Sequence, residues 1–178
     1  MFLDGIWLRR KAVVLIAVAG GHVVAWHLAR TERAAAWAAL MARMPAPAML
    51  VSDGSPGLAK AAAAVWPGTR IQRCTFHAAN QVKRCTTLKP KLEAGVELLG
   101  IANGLKDAKG AESATAWLLG YNAWCARWDG FLKEFTVKDG RKVWTHERLR
   151  KARRGLNRLV REGSLFAFVE MQLEHGGE

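Results

Sequence analysis

The chain has 178 residues, of which 51% are hydrophobic and 24% are charged. This composition provides enough apolar side chains for a packed core and argues against global disorder. The formal net charge is +12, and such an excess indicates a polyanionic partner. Three widely spaced cysteines exclude a disulfide scaffold. This cysteine usage fits a reducing cytoplasm. The longest apolar run is interrupted by Gly20-Gly21 and is too short to cross a bilayer, so we expect no membrane partner.

The first 30 residues predict an antiparallel meander of three strands. The strands cover Phe2–Leu8, Lys11–Ala19 and His22–Ala29, and Gly20-Gly21 suits a tight hairpin turn because both glycines adopt positive φ at little cost. A helix from about Glu32 to Met44, capped by Thr31, should follow.

Two further strands are predicted at Ala48–Ser52 and Thr69–Cys74. Between them lies an alanine-rich helix, Pro56–Val65, with Ser55 as its N-cap. Strands joined by helical crossovers are parallel. The fold class is therefore expected to be α/β, with a ribonuclease-H-like mixed five-stranded sheet (three antiparallel strands, then two parallel ones) flanked by helices on both faces.

After Arg84 the sequence shows no strand-like alternation, which predicts an all-helical segment with a turn at Lys138–Arg141. The expected helices cover Lys91–Lys106, Ala111–Lys133, Thr145–Arg161 and Ser164–Leu173. Tyr121, Trp124 and Trp128 recur at helical spacing, with Trp117 one turn earlier, and such a stripe is typical of core packing.

Two aspartates lie within or directly after predicted apolar strands, where a charged side chain is unexpected. Asp4 interrupts an apolar strand, and Asp53 follows the end of another. A carboxylate in a buried strand is costly unless a cation offsets it. Carboxylate oxygens favour Mg²⁺ or Mn²⁺ over zinc, and a two-metal site activates attack on phosphodiesters. Asp4 and Asp53 are therefore the candidate metal ligands.

A Cys-x-x-His motif, Cys74 to His77, follows the fifth predicted strand. Alone it is a weak zinc signal, because a structural zinc site takes four ligands and no second pair has suitable spacing. Cys74 is expected to end the strand. His77 is expected in the following turn, from which it could hydrogen-bond a phosphate or a ligand carboxylate.

A strongly basic amphipathic helix is predicted at Thr145–Arg161. Its leucines form a stripe to be buried, and its cations can clamp a DNA backbone without reading sequence. The residues selected for backbone contacts are Arg148, Arg150, Lys151, Arg153, Arg154 and Arg158.

Several of these motifs together resemble the Mutator-like family of bacterial insertion-sequence transposases. They are Leu3-Asp4-Gly5, Ser52-Asp53-Gly54, Trp66-Pro67 and Gln72-Arg73-Cys74-x-x-His77. The resemblance implies a ribonuclease-H-like core with an Asp-Asp-Glu metal triad, Mg²⁺ or Mn²⁺ as cofactor, and transposon-end and target DNA as partners. It also implies a homodimer in the full-length protein. By this match Asp4 and Asp53 are the first two ligands and are catalytic, with His77 beside them.

The chain departs from that family pattern in its last third. It contains no Thr-Asn-x-x-Glu, so the third acid is unknown; Glu170, Glu174 and Glu178 are the acids available. The resemblance divides the chain into 1–83 (first part of the catalytic core), 84–163 (helical insertion) and 164–178 (truncated return to the core).

The expected function is a catalytic-core fragment of a DNA transposase that cleaves and joins DNA strands with metal ions. The alternative is a catalytically inactive DNA-binding remnant that lacks the third carboxylate. A ribonuclease-H-like nuclease of another lineage and a zinc-stabilised interaction module are further alternatives.

Overall fold

The computed structural model describes residues 1–175, which divide into two units. The first unit is Met1–Cys74 and the second begins at Thr75. Each unit has its own hydrophobic core.

A five-stranded sheet forms the first unit, with strand order β3-β2-β1-β4-β5. Its strands are β1 (Phe2–Leu8), β2 (Ala12–Ala19), β3 (His22–Ala29), β4 (Met49–Ser52) and β5 (Arg70–Arg73). The pairs β1–β2 and β2–β3 are antiparallel, whereas β1–β4 and β4–β5 are parallel. The predicted mixed sheet is therefore confirmed, including its three antiparallel and two parallel strands.

Local sequence signals explain the turns and one of the two helices of this unit. Gly20 and Gly21 take φ values of 56° and 80° in the β2–β3 hairpin, as predicted. The helix α2 (Pro56–Val65) begins where expected, with the Leu58 N–H donating to Ser55 Oγ at 3.2 Å. This N-cap satisfies one of the backbone donors that a helix start leaves open.

The start of α1 (Ala34–Met41) differs from the prediction, which placed it at Glu32 behind a Thr31 cap. Arg33 is extended, and no side chain caps the helix. The physical reason is tertiary: the Glu32 carbonyl packs against Gly57 of α2, so closely that a Cβ there would lie 2.3 Å from its oxygen. That contact fixes the loop before α1 in a non-helical path.

The core of the first unit lies on one face of the sheet. Alternate residues of β1 and β2, such as Leu3, Val13 and Leu15, are buried together with Trp37 of α1 and Leu58 of α2. Within this unit both helices therefore cover the same face. The opposite face carries exposed apolar side chains: Phe2, Ile6, Val24, Trp26 and Leu28.

The second unit is mainly helical but contains a β-hairpin. Its elements are α3 (Thr75–Thr86), α4 (Glu93–Gly104), α5 (Ala111–Arg127), a 3₁₀ turn (Phe131–Lys133), β6 (Phe135–Lys138), β7 (Arg141–Trp144), α6 (Glu147–Arg161) and α7 (Ala167–His175). The prediction of an all-helical segment is wrong at β6 and β7. Asp139 and Gly140 both take positive φ (50° and 71°), the conformation of a two-residue hairpin turn, and Phe135 stacks on Trp144 at 4.0 Å across the strands.

The aromatic stripe of α5 packs in the core of the second unit, as predicted. The rings of Trp117, Tyr121 and Trp124 are stacked in sequence, with centroids 5.3 and 6.2 Å apart. The Trp124 indole donates to the carbonyl of Ala94 at 3.0 Å, and the Tyr121 hydroxyl lies 2.7 Å from Asn157 Oδ1. These polar contacts fix α5 against α4 and α6. Across residues 1–175, no helix combines the length and hydropathy that a bilayer span requires.

Candidate functional site

The two candidate aspartates follow the last residue pair that joins β1 and β4. In the parallel register Leu3 pairs with Ser52, and Asp4 and Asp53 are the next residues of their segments, at the carboxyl end of β4; this end of β4 is called the Asp4–Asp53 edge. Neighbouring strands lie about 4.8 Å apart. Leu3 and Ser52 are both buried on the helix-covered side, and strand alternation therefore directs Asp4 to the opposite side, whereas Asp53 lies in the turn after β4.

Short backbone contacts hold each aspartate. Asp4 Oδ1 accepts from the N–H of Gly5 at 2.8 Å, and Asp53 Oδ1 accepts from the N–H of Ser55 at 2.8 Å. The second contact is the turn typical of an Asp that precedes a helix. Gly54 takes a φ of 84° within that turn, a value that glycine adopts without strain. One oxygen of each carboxylate is therefore held by a backbone N–H.

A third acid that the sequence did not single out lies nearby. The Glu32 carboxylate packs over β1 so closely that a Cβ on Gly5 would lie 2.2 Å from its Oε1. Burial raises the pKa of Glu32, and the charges of Asp53 and Asp4 raise it further, while a hydrogen bond from Trp7 acts in the opposite direction. Glu32 therefore lies within electrostatic reach of both aspartates, but it sits on the helix-covered side of the sheet.

The donor set at this edge is one of hard oxygens, which suits Mg²⁺ or Mn²⁺. Among residues 1–175, however, no group of three or more His, Cys, Asp or Glu side chains is arranged to hold a metal ion. Mg²⁺ in phosphoryl-transfer sites is commonly bound by only one or two carboxylates, with water and substrate phosphates completing its shell. Two aspartates fit this way of binding Mg²⁺. Among the described residues, protein side chains alone do not provide a complete set of metal ligands.

The Cys-x-x-His motif is divided between the two units. The backbone N–H of Cys74 donates to the Ser52 carbonyl at 2.8 Å, which fixes the residue after β5 beside the end of β4. His77 lies in the first turn of helix α3, not in a turn as expected. Its ring contacts Phe76 edge-on at 5.5 Å, and within the described chain its Nδ1 has no hydrogen-bond partner. The two residues join no metal-binding group among the described residues.

The basic helix forms as predicted and buries its leucine stripe. Two of its six selected cations are involved in the packing of the second unit. Arg150 lies 3.5 Å from the Trp144 ring centroid and donates to the Leu132 carbonyl at 2.6 Å. Arg153 donates to Asp129 at 3.0 Å; burial works against its charge, but the bond to Asp129 holds the pKa of Arg153 above its ordinary value.

The other four selected cations lie at the surface of α6. Arg154 bonds Glu147 at 2.7 Å, Arg158 lies 3.8 Å from Glu162, and Arg148 donates to the Arg84 carbonyl at 2.7 Å. Lys151 is exposed. Exposed ion pairs are weak and exchange readily with a stronger anion, so this surface retains positive charge for a phosphate backbone.

Comparison with known families agrees with these features. A mixed α/β sheet with strand-end aspartates, followed by a basic helical unit, is compatible with a protein that acts on nucleic acid. The profile described as "Transposase, Mutator family" matches residues 9–135, which is more than half of the chain. The chain therefore belongs to the Mutator family of transposases. The match includes Asp53, Cys74 and His77 but begins after Asp4. Neither the curated proteins nor the solved structures gave a significant match.

Proposed function

We propose that this chain carries the metal-binding edge of a transposase catalytic core and acts in metal-dependent cleavage and joining of DNA strands. The observation that supports the proposal is the register of β1 on β4, in which Leu3 pairs with Ser52, the residues that directly precede Asp4 and Asp53. Membership of the Mutator family supports a transposase role and DNA as the partner. The strand order β3-β2-β1-β4-β5 supports a ribonuclease-H-like core.

In this proposal Asp4 and Asp53 hold the ion through their free oxygens. The bound metal would lower the pKa of an attacking water and stabilise charge on the leaving oxygen. The contributions of the chain itself are geometric: the Gly5 N–H and Ser55 N–H orient the two carboxylates. Oriented carboxylates lose less conformational entropy on binding than mobile ones do.

DNA binding by the second unit would use contacts to the phosphate backbone. The exposed cations of α6, Arg148, Lys151, Arg154 and Arg158, are proposed to contact phosphates, without base readout. Arg150 and Arg153 are proposed to contribute charge from positions fixed by Trp144 and Asp129. His77 is proposed as a group that positions a phosphate.

A second candidate is a DNA-binding remnant without catalysis that lacks the third carboxylate. No third ligand is assigned among the described residues. Glu170 and Glu174 lie in α7 of the second unit, and Glu178 lies outside the described residues. A remnant would bind DNA equally with and without Mg²⁺ and would never cut it.

The test is strand cleavage of a labelled DNA duplex in Mg²⁺, in Mn²⁺ and in EDTA. Catalysis predicts metal-dependent products that Asp53→Ala and Asp4→Ala each abolish, with DNA binding in EDTA unchanged. Asp107→Asn, an exposed acid of the second unit, serves as the matched control. Products that persist in Asp53→Ala would refute the assignment, and a wild-type chain that binds but never cleaves would establish the remnant.

A further inference from the structure

A basic groove at one end of the sheet of the first unit belongs to none of the sites described above. It is an open depression of about 940 Å³ lined by Trp7, Arg10, Lys11, Arg30, Thr31 and Arg33. We propose that this groove binds the sugar-phosphate backbone of duplex DNA. This inference concerns a surface separate from the proposed metal site and does not rest on metal-dependent cleavage.

The topology of the sheet brings these residues together from two segments. Arg10 and Lys11 lie in the β1–β2 turn, which Lys11 closes through its N–H bond to the Leu8 carbonyl at 2.9 Å. Arg30 and Arg33 follow β3, whose last residue, Ala29, pairs with Val13 at the start of β2. The antiparallel meander therefore places both segments at the same end of the sheet.

The cations of the groove are not neutralised within the protein. All four are exposed, and none of them forms an ion pair with another described residue. This contrasts with α6, where Arg153, Arg154 and Arg158 each face an acid. Clustered cations repel one another, and a polyanion that releases its counterions on binding removes that cost.

The turn that presents these cations has an unusual backbone. Arg9 and Arg10 take φ values of 47° and 61°, in the left-handed region that non-glycine residues rarely occupy. Asn or Gly would fill such positions with less strain. Core packing does not explain this backbone strain, because the side chains of Arg9 and Arg10 are both exposed. A phosphate-binding role accounts for arginine at these positions.

Trp7 contributes an aromatic surface to the groove. It pairs with the buried Val13 and therefore lies on the helix-covered side of the sheet, where it is hydrogen-bonded to Glu32. The exposed Trp7 ring provides an apolar surface against deoxyribose.

The experiment measures affinity for a fluorescent 20-base-pair duplex over a range of salt concentrations in EDTA, so that metal binding cannot contribute. The variants are R30Q/R33Q on one wall and R10Q/K11Q on the other. K106Q/K109Q, which removes the same charge from exposed positions of the second unit, is the control. Removing one cation that binds a phosphate should reduce the slope of log K against log salt by about 0.9, so the slope should fall by close to twice that amount in each wall variant.

The expected result is a lower salt slope and at least about tenfold weaker binding for both wall variants at low salt, with K106Q/K109Q close to wild type. Thermal melting of each variant checks folding, which these exposed substitutions should preserve. Wall variants that match the control in slope and affinity would overturn the proposal. Because the assay contains no metal, a failure of the cleavage test would leave this result standing, and the converse also holds.

Discussion

The close contact between α2 and the loop before α1 gives the sharpest test of the fold around the site. Gly57 is the second residue of α2, and a Cβ added there would lie 2.3 Å from the Glu32 carbonyl oxygen and 3.3 Å from its carbonyl carbon. Normal contact distances are more than about 1 Å longer than the first value. The obstructing atoms are backbone, so Gly57→Ala must push the Glu32 loop away from the helix.

The size of the effect follows from two opposing contributions. Forcing a methyl group into a packed contact costs about 1–3 kcal/mol. Because the obstructing atoms at Gly57 are backbone atoms, we expect a cost in the upper half of that range. Alanine recovers up to about 1 kcal/mol through its better helix propensity. We therefore expect Gly57→Ala to lower the free energy of unfolding by about 1–2 kcal/mol, or the melting temperature by roughly 3–6 °C.

Urea denaturation followed by circular dichroism measures this difference, with Gly120→Ala as the matched control. Gly120 lies inside α5, and a Cβ there would meet nothing within 4 Å, so the control should be neutral or stabilising by up to about 1 kcal/mol. Equal stabilisation by both substitutions would show that Gly57 and Glu32 are not in contact, and the account of the loop would be wrong.

Three further variants test other parts of the structure. Tyr121→Phe removes the buried hydroxyl beside Asn157 and should lower the free energy of unfolding by about 1–2 kcal/mol; an unchanged urea midpoint would contradict that bond. Hydrogen bonds from Lys133 and, to a smaller extent, from Arg153 lower the pKa of Asp129 below its ordinary value of 3.8. Asp129→Asn should therefore be less stable than wild type at neutral pH, and the difference should vanish as acid titrates the folded carboxyl; a pH-independent difference would refute this. Glu32→Gln should raise stability at neutral pH by at most about 1 kcal/mol, and the gain should disappear below pH 4.5, where glutamate is itself protonated; a gain that persists there would exclude the charge as its cause.

The sheet of the first unit could be predicted because its signals are local. The apolar strands, the Gly20-Gly21 turn and the Ser55 cap each specify backbone geometry through neighbours in sequence. The sequence order of strands and helices then restricts the topology. That topology pairs Leu3 with Ser52, the residues that directly precede Asp4 and Asp53.

The features that could not be predicted depend on contacts between distant residues or on weak patterns. Glu32 approaches the acids only because Gly5 and Gly57 leave space for it, and no local motif signals this. The strands β6 and β7 are four residues each and mostly exposed, so they show no alternation between buried and exposed positions. The Asp139-Gly140 pair between two short runs with valine and aromatic residues was the available hairpin signal.

Direct titration of Mn²⁺ into the chain, followed by calorimetry, tests the central claim that Asp4 and Asp53 share a cation. The account predicts a saturable binding event in the wild type that Asp4→Asn and Asp53→Asn each remove, while Asp107→Asn retains it. Binding that is undiminished in both single variants would contradict the shared site.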